Sequence, residues 1–115
     1  MDRKALIREY KERRPVMGVY QVRNLTNGKV LIGSSTDVPA MLNRQQTQLR
    51  LGMHPNRHLQ LDWQTLGPDA FAFELLDTLT PPDEGEFDPR ADLKVLEALW
   101  LEKLAPFDDR GYHRR

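Results

Sequence analysis

The sequence predicts an α+β domain in which short strands are interleaved with helices. Three observations carry this. Two β-branched runs flank Asn27-Gly28, a hairpin signal, because both turn residues tolerate positive φ. Residues 71–79 form a third run, with Phe71, Phe73 and Leu75 on one side of a strand. Between and after these runs, apolar residues recur at helical spacing and are bounded by capping residues. The 115 residues are enough for one domain with a modest core.

Residues 1–14 are read as an N-terminal charged helix, with Leu6, Ile7 and Tyr10 as its apolar stripe, ended by Pro15. It is either a helix on the domain edge or a basic arm. Residues 15–115 are read as a single domain. Its first feature is the hairpin, which carries a glycine in each strand, Gly18 and Gly33. A glycine inside a strand often marks the close approach of a backbone or a ligand. Tyr20 lies two residues after Gly18 and therefore shares its face. After the hairpin, Asp37 is a plausible N-cap and Pro39 a first-turn proline for a helix running to about Leu51 and stopping at Gly52. Met53-His54-Pro55-Asn56 then turns the chain. Asn56 can cap a second helix with Leu59, Trp63 and Leu66 at helical spacing, closed by Gly67-Pro68. Trp63 is expected in the core.

The third strand is followed by an acidic loop and by a last helix starting at Asp88-Pro89. At 100° per residue, Leu93, Trp100, Leu101 and Leu104 cluster on one side of it, with Glu97 among them. An inward carboxylate is costly unless it is paired or bound to a cation. Glu97 is therefore either a salt-bridged core residue or a metal ligand.

The formal net charge of zero hides an asymmetry. Residues 1–62 hold eleven Lys/Arg against five Asp/Glu, and residues 63–115 hold six against twelve. A basic half suits a polyanion and a carboxylate-rich half suits a metal ion, unless the two mix in space on folding. No acidic residue occurs from Val38 to Leu61, a stretch rich in arginine and amide side chains, which are donors suited to phosphate and sugar. With no cysteine there is neither a disulfide framework nor a thiolate metal site. No apolar run is long enough to span a membrane and no signal peptide is visible, so a cytoplasmic protein without a membrane partner is expected.

Gly18-Val19-Tyr20 and Leu31-Ile32-Gly33, separated by the hairpin turn, resemble the signature of the GIY-YIG nuclease superfamily, as in a small stand-alone bacterial-type member with a degenerate second triplet. The Gly52-Met53-His54 turn, the Leu59-Gln60 pair, Phe73 to Asp77, Glu97 with Trp100 and Leu104, and Gly111-Tyr112 follow in the family's order. The resemblance implies a small three-stranded antiparallel sheet flanked by helices. It also implies DNA phosphodiester hydrolysis with one divalent ion, Mg²⁺ or Mn²⁺, held by Glu97. Tyr20 would contact or activate the attacking water, and His54 would assist proton transfer or grip the phosphate. A hard cation takes oxygen ligands and neutralises a leaving alkoxide, and a base must lie within hydrogen-bond reach of the water.

Three positions depart from the family pattern. Leu31 stands for the second triplet's tyrosine, Met41 for the helix arginine and His113 for the closing asparagine. Losing a transition-state donor such as that arginine typically costs ~10²–10³ in rate. Arg44, three residues after Met41 on the same helical face, is the candidate replacement, with Lys29 and Arg23 on the hairpin as further candidates. Arg23, Lys29, Arg50, Asn56, Arg57 and His58 are the expected nucleic-acid contacts, on single- or double-stranded DNA. The sequence thus points to a metal-dependent DNA endonuclease with an altered site. The alternative is a catalytically impaired nucleic-acid-binding module that keeps the fold. Oligomeric state is left open.

Overall fold

The structure is a computed structural model that describes residues 15–82 and 85–114. The helix expected over residues 1–14 lies outside the described residues. Strands β1 (Gly18–Asn24), β2 (Val30–Ser35) and β3 (Phe71–Thr78) form one antiparallel sheet in the order β2-β1-β3. Helices α1 (Val38–Arg50) and α2 (Arg57–Leu66) come between β2 and β3, and α3 (Pro89–Leu104) follows β3.

Strand alternation sends successive β1 side chains to opposite faces. Val22 packs with Leu49, Leu59, Trp63, Phe71 and Tyr112 on the α1/α2 side. Val19 packs with Val30 and Ile32 on the other side, under Leu96, Trp100, Leu101 and Leu104 of α3. Tyr20 has the parity of Val22 and belongs to the α1/α2 face. The expected apolar stripe of α3 is the one that packs, and Leu96 joins it.

The hairpin connection is longer than a two-residue turn. It spans residues 25–29, and only Gly28 takes positive φ, at 79°. Asn27 instead accepts the Lys29 N–H through its side chain at 2.9 Å, an Asx turn. A register shift in the β1–β3 ladder sets Val19 opposite Asp77 but Tyr20 opposite Leu75. The extra residue, Leu76, turns onto the α3 face. Phe71 and Phe73 pack near Trp63, whereas Leu75, expected with them, is exposed where the regular ladder ends.

Each helix is capped as its sequence suggests. The side chains of Asp37, Asn56 and Asp88 accept from the N–H groups of Ala40, Leu59 and Ala91. Helix α1 closes with Met53 N–H on Gln48 C=O and Gly52 N–H on Leu49 C=O, the pair of bonds that ends a helix in a Schellman motif. That closure aims the following loop, which carries His54, back toward the sheet.

The C-terminal segment covers the free edge of β2. Gly111 bridges Val30 in parallel, and Tyr112 N–H donates to Val30 C=O at 3.1 Å. An otherwise open row of backbone groups is thereby paired, and His113 is placed beside Ile32.

Candidate active site

Tyr20 and Gly33 face each other across β1 and β2. The tyrosine ring lies over the glycine: a Cβ at position 33 would collide with the Tyr20 hydroxyl and Cζ. The glycine in this strand therefore makes room for the phenol. Tyr20 is only 6% exposed, and burial raises its pKa, with the negative charge of Glu97 acting in the same direction. Arg44 and a hydrogen bond from Gln45 oppose that rise. The phenol thus contacts Gln45 of α1 and lies within the electrostatic reach of Arg44 on α1 and Glu97 on α3.

Glu97 is half-buried on α3. Among the described residues no lysine or arginine forms an ion pair with it, and no side chain hydrogen-bonds it. Its charge acts on Tyr20 and on His113. The salt-bridged alternative for Glu97 is not realised among these residues. Among them there is also no cluster of three or more His, Asp or Glu side chains able to form an all-protein cage. One unpaired carboxylate fits a hard ion that keeps most of its waters, as Mg²⁺ does.

The imidazole in the field of Glu97 is that of His113, not His54. Ile32 N–H donates to His113 Nε2 at 2.8 Å. The neutral ring therefore carries its hydrogen on Nδ1. Burial lowers the His113 pKa, against the pull of Glu97. An acceptor toward the backbone and a remaining N–H donor are also what a carboxamide would offer at this position.

His54 is 7% exposed and has both ring nitrogens engaged. Nδ1 accepts from Asn56 N–H at 3.0 Å, and Nε2 makes a short bond to Gln45 Oε1. Gln45 Nε2 in turn reaches the Tyr20 hydroxyl at 3.4 Å. Burial lowers the His54 pKa. The ring is thus held by both of its nitrogens within the fold. It touches the site through Gln45, which sequence reasoning missed. Gln45 lies four residues after Met41, one helical turn on, and that spacing was its only signal.

The remaining expected residues divide between two places. Arg44 is exposed near Tyr20. Arg23 lies on the opposite, α3 face, where its guanidinium binds Glu74 at 2.7 and 3.1 Å and holds that carboxyl below its usual range. It is thus not placed to replace the missing arginine beside Tyr20. Lys29 lies at the hairpin end, with Nζ 3.3 Å from His58 Nε2. His58 packs edge-on against Tyr112, 4.9 Å between ring centroids. The Tyr112 hydroxyl donates to Asp62 at 2.8 Å and accepts from the fully buried Asn24 at 3.0 Å, and burial raises its pKa. Asn56 is occupied within the fold, capping α2 and donating to Tyr112 C=O. Asn56, Arg57, His58, Tyr112, His113 and Arg114 line an open cleft of about 940 Å³. His113 lines this cleft and also feels the charge of Glu97. Arg50 is exposed in the last turn of α1, where it contacts Thr47.

The fold has counterparts among solved structures. The chain superposes on the catalytic domain of the homing endonuclease I-TevI with a TM-score of 0.67 at 27% identity, over 84% of this chain and 95% of that one. A point variant of the catalytic domain of the same intron endonuclease gives 0.69 at 26% identity, over 85% and 92%. No protein-family model and no curated protein matches the sequence. The α+β fold is that of the GIY-YIG catalytic domain, and the resemblance in the sequence extends to the three-dimensional structure of a nuclease domain.

Proposed function

We propose that the chain is a divalent-metal-dependent DNA endonuclease of the GIY-YIG type. The observation that carries this reading is Glu97. It is a half-buried carboxylate with no cationic partner among the described residues, its charge reaches both Tyr20 and His113, and the fold is similar to that of a homing-endonuclease catalytic domain. A bound divalent cation would pair with that charge through an oxygen ligand. Glu97 would hold a single Mg²⁺ or Mn²⁺. When bound, that ion supplies polarisation of a phosphoryl oxygen and charge for the leaving alkoxide.

The chain's own side chains do the rest. With its pKa raised by burial and by Glu97, Tyr20 stays a protonated phenol at neutral pH and orients the attacking water through its hydroxyl. Arg44 is the exposed cation nearest in effect to Tyr20 and meets the charge growing on phosphorus. His113 offers its Nδ1–H beside Glu97. Arg57, His58 and Arg114 in the cleft, with Lys29 at its margin and Arg50 on α1, hold the DNA backbone on either side of the cut. From Tyr20 to the hairpin end is four residues of strand, about 13 Å, or roughly four base steps of DNA.

A second reading, a binding module without turnover, is favoured by two observations. Leu31 has become a packing residue of the α1/α2 core, and Met41 brings only a thioether near Gln45, at 3.8 Å. Purified protein incubated with single-stranded, nicked and duplex DNA, with Mg²⁺, Mn²⁺ or EDTA, separates the two. Metal-dependent cutting lost in Glu97→Ala supports the enzyme. Salt-sensitive binding with no cutting of any substrate supports the module.

A further inference from the structure

We propose that Gln45 is a positioning residue of the active site: its carboxamide ties the neutral, buried His54 to Tyr20 and fixes the direction of the phenolic hydrogen. The inference rests on the reading of Tyr20 as the residue that handles the attacking water. It starts from one group whose role admits no choice, the backbone N–H of Asn56. That N–H donates to His54 Nδ1 at 3.0 Å, so Nδ1 carries a lone pair and the ring hydrogen sits on Nε2. Nε2–H must then donate to its neighbour on Gln45, and the acceptor is the carboxamide oxygen. The other end of the carboxamide is therefore the NH₂ group, which lies 3.4 Å from the Tyr20 oxygen. An NH₂ group only donates, so the Tyr20 oxygen accepts and its own hydrogen is directed away from Gln45. Swapping the amide oxygen and nitrogen would set two donors against each other at His54, so the orientation is determined by the chain of bonds.

The surroundings hold this relay in one state. His54 N–H donates to Gln60 Oε1 at 2.9 Å, and Gln60 Nε2 donates to Leu49 C=O at 3.0 Å. A second carboxamide thus clamps the loop that carries the ring. Gln45, His54 and Gln60 are all buried, and no buried side-chain polar atom among the described residues lacks a partner. Protonating His54 would turn Nδ1 into a donor facing the Asn56 N–H and remove the bond that fixes the ring, although Nε2–H could still donate to Gln45. His54 therefore acts through Gln45 as a neutral anchor rather than as an acid. Gln45 is suited to the task because it joins an acceptor to a donor. A glutamate there could still accept from His54, but it would also draw the Tyr20 hydrogen toward itself and away from the site.

The test has one arm without mutation and one with it. In the wild-type protein, ¹⁵N-detected histidine NMR should show His54 as the Nε2–H tautomer, neutral at pH 6.5. The Nδ1–H tautomer, or an imidazolium at that pH, overturns the proposal. In the second arm, Gln45→Leu and Gln45→Glu are assayed for DNA cleavage in the wild-type and Tyr20→Phe backgrounds, with folding checked by circular dichroism. Each should lower kcat about 10²-fold with KM within twofold, as misplacement of a reacting group does. In Tyr20→Phe neither should have any further effect. A loss that persists undiminished in Tyr20→Phe, or an unchanged kcat in a folded Gln45→Glu variant, overturns the proposal. If the wild-type protein cuts no DNA with any metal, the endonuclease reading fails. The tautomer measurement then still decides the hydrogen-bond chain on its own.

Discussion

Replacing Gly33 by alanine should displace Tyr20 from the site, and the structure indicates by how much. The added Cβ would coincide with the space now held by the Tyr20 hydroxyl, Cζ and Cε1. Both strands are paired at this point, Gly33 directly opposite Tyr20, so the backbone has little freedom to yield. The ring must rotate instead, out of a position in which it is 6% exposed and hydrogen-bonded to Gln45. Overpacking of this kind costs ~1–3 kcal/mol. Position 33 has no positive φ, so in a background without the ring the same change should be neutral, or stabilising by up to ~1 kcal/mol through the unfolded state. Urea unfolding of wild type, Gly33→Ala, Tyr20→Leu and the double variant gives the coupling directly. Gly33→Ala should be destabilising alone and nearly free of cost with Tyr20→Leu. It should also reduce DNA cleavage about 10²-fold, since a shift near 1 Å at a reacting group has that effect. An equal stability cost in both backgrounds, or full activity in Gly33→Ala, would refute the contact and the role given to the phenol.

Arg44→Ala should lower cleavage ~10²–10³-fold with DNA binding reduced far less, because its charge acts at Tyr20 rather than in the cleft; this is read from single-turnover kinetics beside a binding isotherm. Arg23→Ala should leave cleavage unchanged, because Arg23 pairs with Glu74 on the far face of the sheet. Stability should fall on acidification. The folded-state pKa values of His54 and His113 are depressed, so below about pH 6.5 the unfolded chain binds protons that the native one refuses. Their contribution is complete above that pH and is lost as pH falls toward the folded-state values, which a series of urea midpoints from pH 7.5 to 5 would show.

Much of this arrangement could be read along the chain because it is set by near neighbours. Asp37, Asn56 and Asp88 announce their helices through bonds that reach three residues. The inward position of Glu97 follows from the rotation of one helix. The face of Arg23 was equally legible: it stands three residues from Tyr20, and an odd spacing on a strand means opposite faces. The Gln45 link joins residues 20, 45 and 54, which only the packing of α1 on the sheet brings together. The Asn24–Tyr112 bond spans 88 positions, and the edge pairing of Gly111 with Val30 depends on where α3 ends. Such contacts have no local pattern. Their sign in the sequence is only a polar residue where an apolar one would be expected, as Asn24 is in a fully buried strand end.

The most direct test of the account is where a single Mn²⁺ binds. Paramagnetic broadening of assigned amide and side-chain NMR signals, on titrating Mn²⁺ into the wild-type protein and into Glu97→Gln, locates it without requiring activity. Broadening centred on Glu97, Tyr20 and His113 that disappears in Glu97→Gln is the result expected if this carboxylate holds the ion. Broadening elsewhere, or a pattern unchanged in Glu97→Gln, would contradict it.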